Sequence, residues 1–155
     1  MKFLCDRMLL RLGRWLRAAG YDTAVAAADD ADPDLVARAR AEGRWLLTRD
    51  RRLVREDAGA GDPVVLLTAE TPSAAAAELR ARLGVDWQAA PFTRCMLDNA
   101  ELVPAGQRDL ERVPAGVPDG PVMRCPACDR VYWPGSHLRR MHRQLAVWQN
   151  GAGSG

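Results

Sequence analysis

FLCDRMLLRLGRWLRAAGYDT, residues 3–23, holds a strand, a helix and the start of a second strand in one run. The short apolar stretch Lys2 to Cys5 predicts the strand, and Asp6 stands where it ends. From Met8 to Ala19, the residues Leu9, Leu12, Trp15, Leu16 and Ala19 recur at helical spacing, so one face of that helix seeks a core. Gly20 sits just past its end, where a left-handed residue is favoured. Asp22 to Ala28 is a weaker strand candidate.

Moving outward, Asp32-Pro33 reads as an N-cap followed by proline at the first helical position, opening a helix that runs to Gly43. Arg44 to Thr48 is a strand, Arg51 to Arg55 a helical turn and Pro63 to Leu67 another strand. Thr71-Pro72 repeats the cap-then-proline device and starts a helix through Leu83, which Gly84 closes. Strands alternating with helices over residues 1–88 predict an α/β unit with a mostly parallel sheet and helices on both faces. From Ala89 the texture changes. Pro91, Pro104, Pro114, Pro118 and Pro121 interrupt the chain, and helical periodicity is absent until Leu138. Residues 91–150 fit a second, small, loop-rich unit that needs a staple, and 151–155 read as a flexible tail.

The 155 residues, 48% of them apolar, suffice for one substantial core and an appendage. No apolar run approaches the roughly 20 residues that cross a bilayer. MKFLCDRML sets an acid and a base where a signal peptide requires apolar residues, so a cytoplasmic, non-membrane protein is expected. A net charge of +2 does not announce a nucleic-acid binder. Lys2 is the single lysine, however, so nearly every positive charge is a guanidinium, suited to bidentate phosphate contacts or simply to an Arg-rich codon bias. Arg7, Arg11, Arg14 and Arg17, at intervals of four, three and three, are expected on one helix face. That face would track an RNA backbone, or be an ordinary solvated face.

Ligands of open parallel sheets bind beyond the carboxyl ends of the strands. Asp6 ends the first strand, Asp29, Asp30 and Asp32 follow the second, and Asp50 ends the third. Three carboxylates aimed at one spot require a cation, and hard oxygen ligands favour Mg²⁺ or Mn²⁺, which orient water and stabilise charge on a phosphodiester. Taken singly, each aspartate also reads as a helix cap. A phosphoacceptor domain of the response-regulator kind also uses aspartates at strand ends, but it requires a lysine near the last strand, and no lysine follows Lys2.

FLCDRMLLRLGRWLRAAGYDT, then DADPDLVARARAEGRWLLTRD (30–50), then Arg94-Cys95, CPAC (125–128) and YWPGSH (132–137) resemble the PIN-like ribonuclease family of the mut-seven exonuclease C-terminal domain type. The resemblance runs in order from Met1 to about Met141; each motif is weak alone and the ordered set is specific. It implies a PIN-like three-layer α/β/α domain, divalent-metal-dependent RNA hydrolysis and a C-terminal zinc ribbon. Carried over by position, Asp6 and Asp50 match catalytic acids, and Asp32 matches the intermediate one, with Asp30 and Asp34 as rivals in register. Ser136 and His137 match a further motif, in which His137 either meets substrate or pins the turn. The rival class is a non-catalytic RNA-binding or ribosome-associated ribbon module whose acids are only caps.

Cys125 and Cys128 form a CPAC knuckle, whose spacing lets two thiolates grip one tetrahedral metal. The matching upstream element reads Cys95-Met96-Leu97-Asp98, with aspartate where the family pattern has cysteine. Cys95, Asp98, Cys125 and Cys128 are the expected zinc ligands; His137 and His142 are rival fourth ligands, and a metal-free remnant is the alternative. Cys5 reads as a core thiol. Tyr132, Trp133 and Trp148, with Arg139, Arg140 and Arg143, would either stack on bases or cover a small core.

Overall fold

Along β1 (Lys2–Cys5), Phe3 and Cys5 face one side of the sheet and Leu4 the other, and all three are fully buried. A period-two strand sandwiched between helices requires this. The computed structural model describes residues 1–151; residues 152–155 of the expected tail lie outside the described residues. β1 pairs with β2 (Asp22–Val25) and β3 (Trp45–Thr48), and β4 (Val64–Leu66) completes the order β2-β1-β3-β4, all parallel.

A 3-10 turn, Arg7–Leu9, leads into α1 (Leu10–Ala18), which lies with α4 (Pro72–Leu83) against the Phe3 side. α2 (Asp32–Glu42) and α3 (Arg51–Glu56) cover the Leu4 side. The chain runs one way from β1 to β2 and the other way from β2 to β3, so right-handed crossovers put α1 and α2 on opposite faces. Leu9, Leu12, Leu16 and Ala19 pack with Phe3, Leu47 and Leu79 in the larger core. Leu35, Val36, Ala39 and Leu53 enclose Leu4 and Leu46 in the smaller. The fold is the expected three-layer α/β/α sandwich.

One cap differs from the sequence reading. Ala31, not Asp32, is the N-cap of α2; Asp32 is its first residue, and no side chain caps the helix. Thr71 does cap α4, its hydroxyl accepting the Ala74 N–H at 3.2 Å.

The remaining strands, β5 (Val103–Pro104), β6 (Met123–Arg124) and β7 (Val131–Tyr132), form a small antiparallel sheet with α5 (Gln107–Leu110). Its own cluster is Cys95, Leu102, Cys125 and Tyr132. α6 (Ser136–Asn150) then returns to the first unit, where Leu145 and Trp148 join the larger core. Trp148 packs edge-on to Trp15 and Trp87, with centroids 4.7 and 5.1 Å away, and its Nε1 donates to Ser73 Oγ. The linker is stitched to the end of α1 by the N–H groups of Ala90 and Phe92, which donate to the carbonyls of Ala19 and Ala18. Gly20 permits this approach: its φ is +99°, and a Cβ there would fall 2.3 Å from Ala90 O. Among the described residues no helix is long and apolar enough to cross a membrane.

Candidate functional site

The connections leaving β1 and β3 run in opposite directions, so the carboxyl ends of these two adjacent strands form the switch point at which open parallel sheets place their ligand crevice. Asp6 directly follows β1, and Asp50 precedes α3 just after β3. Buried Thr48 links them: its hydroxyl donates to Asp6 Oδ2 at 2.8 Å and accepts the Asp50 N–H at 2.9 Å. Asp50 Oδ1 caps α3 by accepting the N–H groups of Arg52 (2.7 Å) and Leu53 (3.4 Å). Asp32, the first residue of α2, takes the Arg52 guanidinium on Oδ2 at 3.4 Å. Arg52 therefore touches Asp50 through its backbone and Asp32 through its side chain.

Among the described residues, Asp6 Oδ1, Asp32 Oδ1 and Asp50 Oδ2 have no hydrogen-bond partner. The three acids are not drawn into a tight cage. Among the described residues, the one group of three or more His, Cys, Asp or Glu with ligand atoms within 4.8 Å of one another lies in the small sheet unit. Asp30 serves its own loop, accepting the Ala27 N–H at 2.7 Å, and Asp34 is exposed in the first turn of α2, where the helix dipole favours an acid.

Arg7, Arg11 and Arg14 are exposed. Arg17 does not share their face, contrary to the sequence reading. Each three-residue step falls about 60° short of a full turn, and by Arg17 the drift has carried the side chain inward. Arg17 is 6% exposed; its Nε donates to Thr23 O, and its Nη1 to the carbonyls of Met96 and Leu97. Cys5 is a core thiol, which burial pushes up to about 12.

The tight group is Cys95, Asp98, Cys125 and Cys128. Two knuckles of one design bring it together. In the first, the Cys95 N–H donates to Ala100 O and the Asn99 N–H to Cys95 O; in the second, Cys125 donates to Arg130 O and Asp129 to Cys125 O. Asn99 and Asp129, each next after the second ligand, have φ of 73° and 61°, a conformation Asn and Asp tolerate better than other side-chain-bearing residues. Cys95 and Cys128 sulfurs lie 3.7 Å apart, and Cys125 Sγ is 3.2 Å from Asp98 Oδ2.

The four side chains compete for negative charge. Burial opposes ionisation of Asp98, but the Ala100 N–H and the three thiols hold its carboxyl down at about 2. The Arg130 N–H favours the Cys128 thiolate, yet Asp98, desolvation and the neighbouring sulfurs push Cys128 up to about 12. Four donors that cannot all be anionic alone can be so around a metal such as zinc. His137 and His142 are outside the group, and His142 stacks on Phe92 at 6.2 Å. Tyr132 is buried, its hydroxyl 3.1 Å from Cys95 Sγ and accepting the Met96 N–H.

The first knuckle is also clamped to the larger unit. Besides Arg17, Asn99 Oδ1 accepts the Thr23 N–H at 2.8 Å, and its Nδ2 donates to Asp22, which also pairs with Arg44. Sequence reasoning missed Thr48, Arg52 and Asn99. Thr48 shows only once β1 and β3 are paired. Asn99 had a readable signal: Asn and Asp at the same place after two like-spaced ligand pairs.

No curated protein matches the chain, and no solved structure does. The Mut7-C RNAse domain family matches residues 1–145, a span that takes in the parallel sheet, the crevice aspartates, both knuckles and most of α6. With so nearly the whole fold matched, the chain belongs to the Mut7-C RNAse domain family.

Proposed function

We propose that the chain is a divalent-metal-dependent ribonuclease that hydrolyses RNA phosphodiester bonds in the crevice between β1 and β3. The Thr48 bridge carries this reading: one buried hydroxyl fixes Asp6 and Asp50 side by side where the sheet changes direction, and each carboxylate keeps an oxygen free. Membership of an RNase-domain family supports RNA as substrate.

Asp6 and Asp50 would hold Mg²⁺ or Mn²⁺ from the crevice floor, and Asp32 from the α2 side. Such an ion supplies Lewis acidity toward the phosphate and acidifies a bound water. Hard donors spaced more widely than the ribbon quartet suit an ion that retains several waters. Arg52, its side chain 66% exposed, has room to leave Asp32 and meet a phosphate oxygen. Arg7 in the 3-10 turn and Arg11 and Arg14 on α1 extend positive charge for the RNA backbone, a role that buried Arg17 cannot share. Cys95, Asp98, Cys125 and Cys128 would hold a structural zinc, and a reducing compartment such as the cytoplasm keeps the free thiols available for it.

The test is incubation of purified protein with labelled structured and single-stranded RNAs, with Mn²⁺ or Mg²⁺ and with EDTA. Cleavage that requires the ion and stops with EDTA is expected. Binding without cleavage under every condition would select the non-catalytic RNA-binding reading, in which capping by Asp50 and pairing of Asp32 with Arg52 are the acids' whole role.

A further inference from the structure

A cleft of about 570 Å³ opens between α1, the first knuckle and the first turn of α6. None of the crevice acids lines it. Arg11 and Arg14 project from α1, Arg130 from the second knuckle, and Trp133, Ser136 and His137 from the turn into α6. Met96, Leu97 and Met141 make part of the lining apolar. Among the described residues no carboxylate lies within 4.0 Å of the guanidinium groups of Arg11, Arg14 or Arg130, so the three charges around this cleft are not neutralised by an ion pair. Uncompensated guanidinia around a partly apolar cleft suit an anion with a flat, apolar body.

Trp133 provides the plane. Tyr132 and Trp148 are buried and committed to hydrogen bonds and core, but Trp133 is half-buried. Gly135 seats it: a Cβ at Gly135 would fall 2.9 Å from Trp133 Nε1, so the indole rests against the glycine backbone. Arg11 also lines a smaller cleft of about 210 Å³, with Arg49 and Thr71, beside the carboxyl ends of β3 and β4. Arg11 thus stands between the strand ends and the large cleft.

We infer that the cleft between α1 and the ribbon is a subsite for single-stranded RNA, with one base stacked on Trp133 and adjoining phosphates on Arg11, Arg14 and Arg130. The choice of RNA rests on the proposed nuclease activity; the stacking and phosphate contacts do not. Ser136 and His137 offer polar groups to a ribose 2′-hydroxyl. A duplex keeps its bases stacked within itself, so the subsite selects single strands.

The experiment uses full-length, zinc-loaded protein carrying Asp6→Asn to suppress cleavage, and reads fluorescence anisotropy of a labelled single-stranded RNA about 12 nucleotides long. Trp133→Ala is expected to weaken binding about tenfold and Trp133→Phe to retain most of it. Arg11→Gln with Arg14→Gln is expected to flatten the salt dependence by about 0.7 of a slope unit per lost contact. Gly135→Ala, which displaces the indole without deleting it, gives a second route should Trp133→Ala unsettle the ribbon, and an intermediate loss is expected. Unchanged affinity in both Trp133→Ala and Gly135→Ala, or a matched duplex bound as tightly as the single strand, overturns the subsite. If the wild type never cleaves RNA but Trp133→Ala still loses affinity, the nuclease reading falls and the subsite stands. Cleavage by the wild type with unaltered binding in the Trp133 and Gly135 variants removes the subsite alone.

Discussion

Asp50 and Asp98 each stand beside a turn and each accept a backbone N–H two residues ahead, from Arg52 and from Ala100, yet the fold holds them in opposite ways. Asp50 is set by a strand end, a helix start and the buried Thr48 hydroxyl, all supported by apolar layers that require no ion. Asp98 is set by a knuckle in a unit whose buried cluster is only Cys95, Leu102, Cys125 and Tyr132. The first position exists before any ligand arrives; the second is held with three thiols around one point. Function at the crevice and folding at the ribbon should therefore separate under mutation.

The largest separation is expected from Asp6→Asn and Asp50→Asn. Each removes a charge at nearly constant volume, and asparagine is itself a good helix cap, so cleavage should fall at least about a hundredfold with little change in melting temperature. Single-turnover cleavage and thermal melts of the same samples make the measurement; full activity in both variants, with EDTA still stopping the wild type, would sink the crevice site. Asp98→Ala is expected to do the reverse. Zinc should be lost sooner to a chelator and the two knuckles with the small sheet should loosen, while the end of α6 stays in the larger core, because metal affinity and folding are coupled. Asp98→Cys should retain zinc longer than the parent, since a borderline-soft ion gains more from sulfur. Elemental analysis of zinc per chain before and after chelation checks both, and retention by Asp98→Ala would show that the carboxylate is no ligand.

Thr48→Val tests the join between sheet and site. Losing the hydroxyl strips a partner from Asp6 and from the Asp50 N–H, for about 1–2 kcal/mol of stability and about a tenfold slower cleavage. A variant that melts lower but cleaves normally would make the bridge purely structural. Asp22 gives the smallest effect. Burial opposes its ionisation, but hydrogen bonds from Arg44 and Asn99, with the charges of Arg44 and Arg94, hold its carboxyl below the ordinary 3.8. Its contribution is complete above that value and disappears as pH falls through the depressed folded value. Asp22→Asn should thus cost about 1 kcal/mol at neutral pH and little in strong acid, as read by denaturant melts across pH.

Elements with a period were legible in the sequence. The Leu9, Leu12, Leu16 stripe, the Thr71-Pro72 start and the glycines at positions 43 and 84, both in left-handed caps, all lie where local chemistry alone sets them. The quartet's spacing was legible too, because each knuckle is a local turn. What escaped was non-local. Trp148 belongs with Trp15 and Trp87 only because α6 folds back, and no local pattern announces that return. Arg17 has the composition of a surface residue; its burial depends on the carbonyls of Met96 and Leu97, nearly eighty residues on.

The Asn99 contact with Thr23 has a consequence for solubility. β2 is an outer strand of the parallel sheet, and outer strands present unpaired backbone groups on which another chain can build. The Asn99 carboxamide occupies the Thr23 N–H, and the Arg17 guanidinium takes the Thr23 carbonyl on the same edge. At the opposite edge, β4 has three residues, and Arg82 takes the Leu66 carbonyl. The knuckle thus serves as a stopper against strand addition. A chain whose first knuckle came away from Thr23 would bare β2 and offer a surface on which copies of itself can stack.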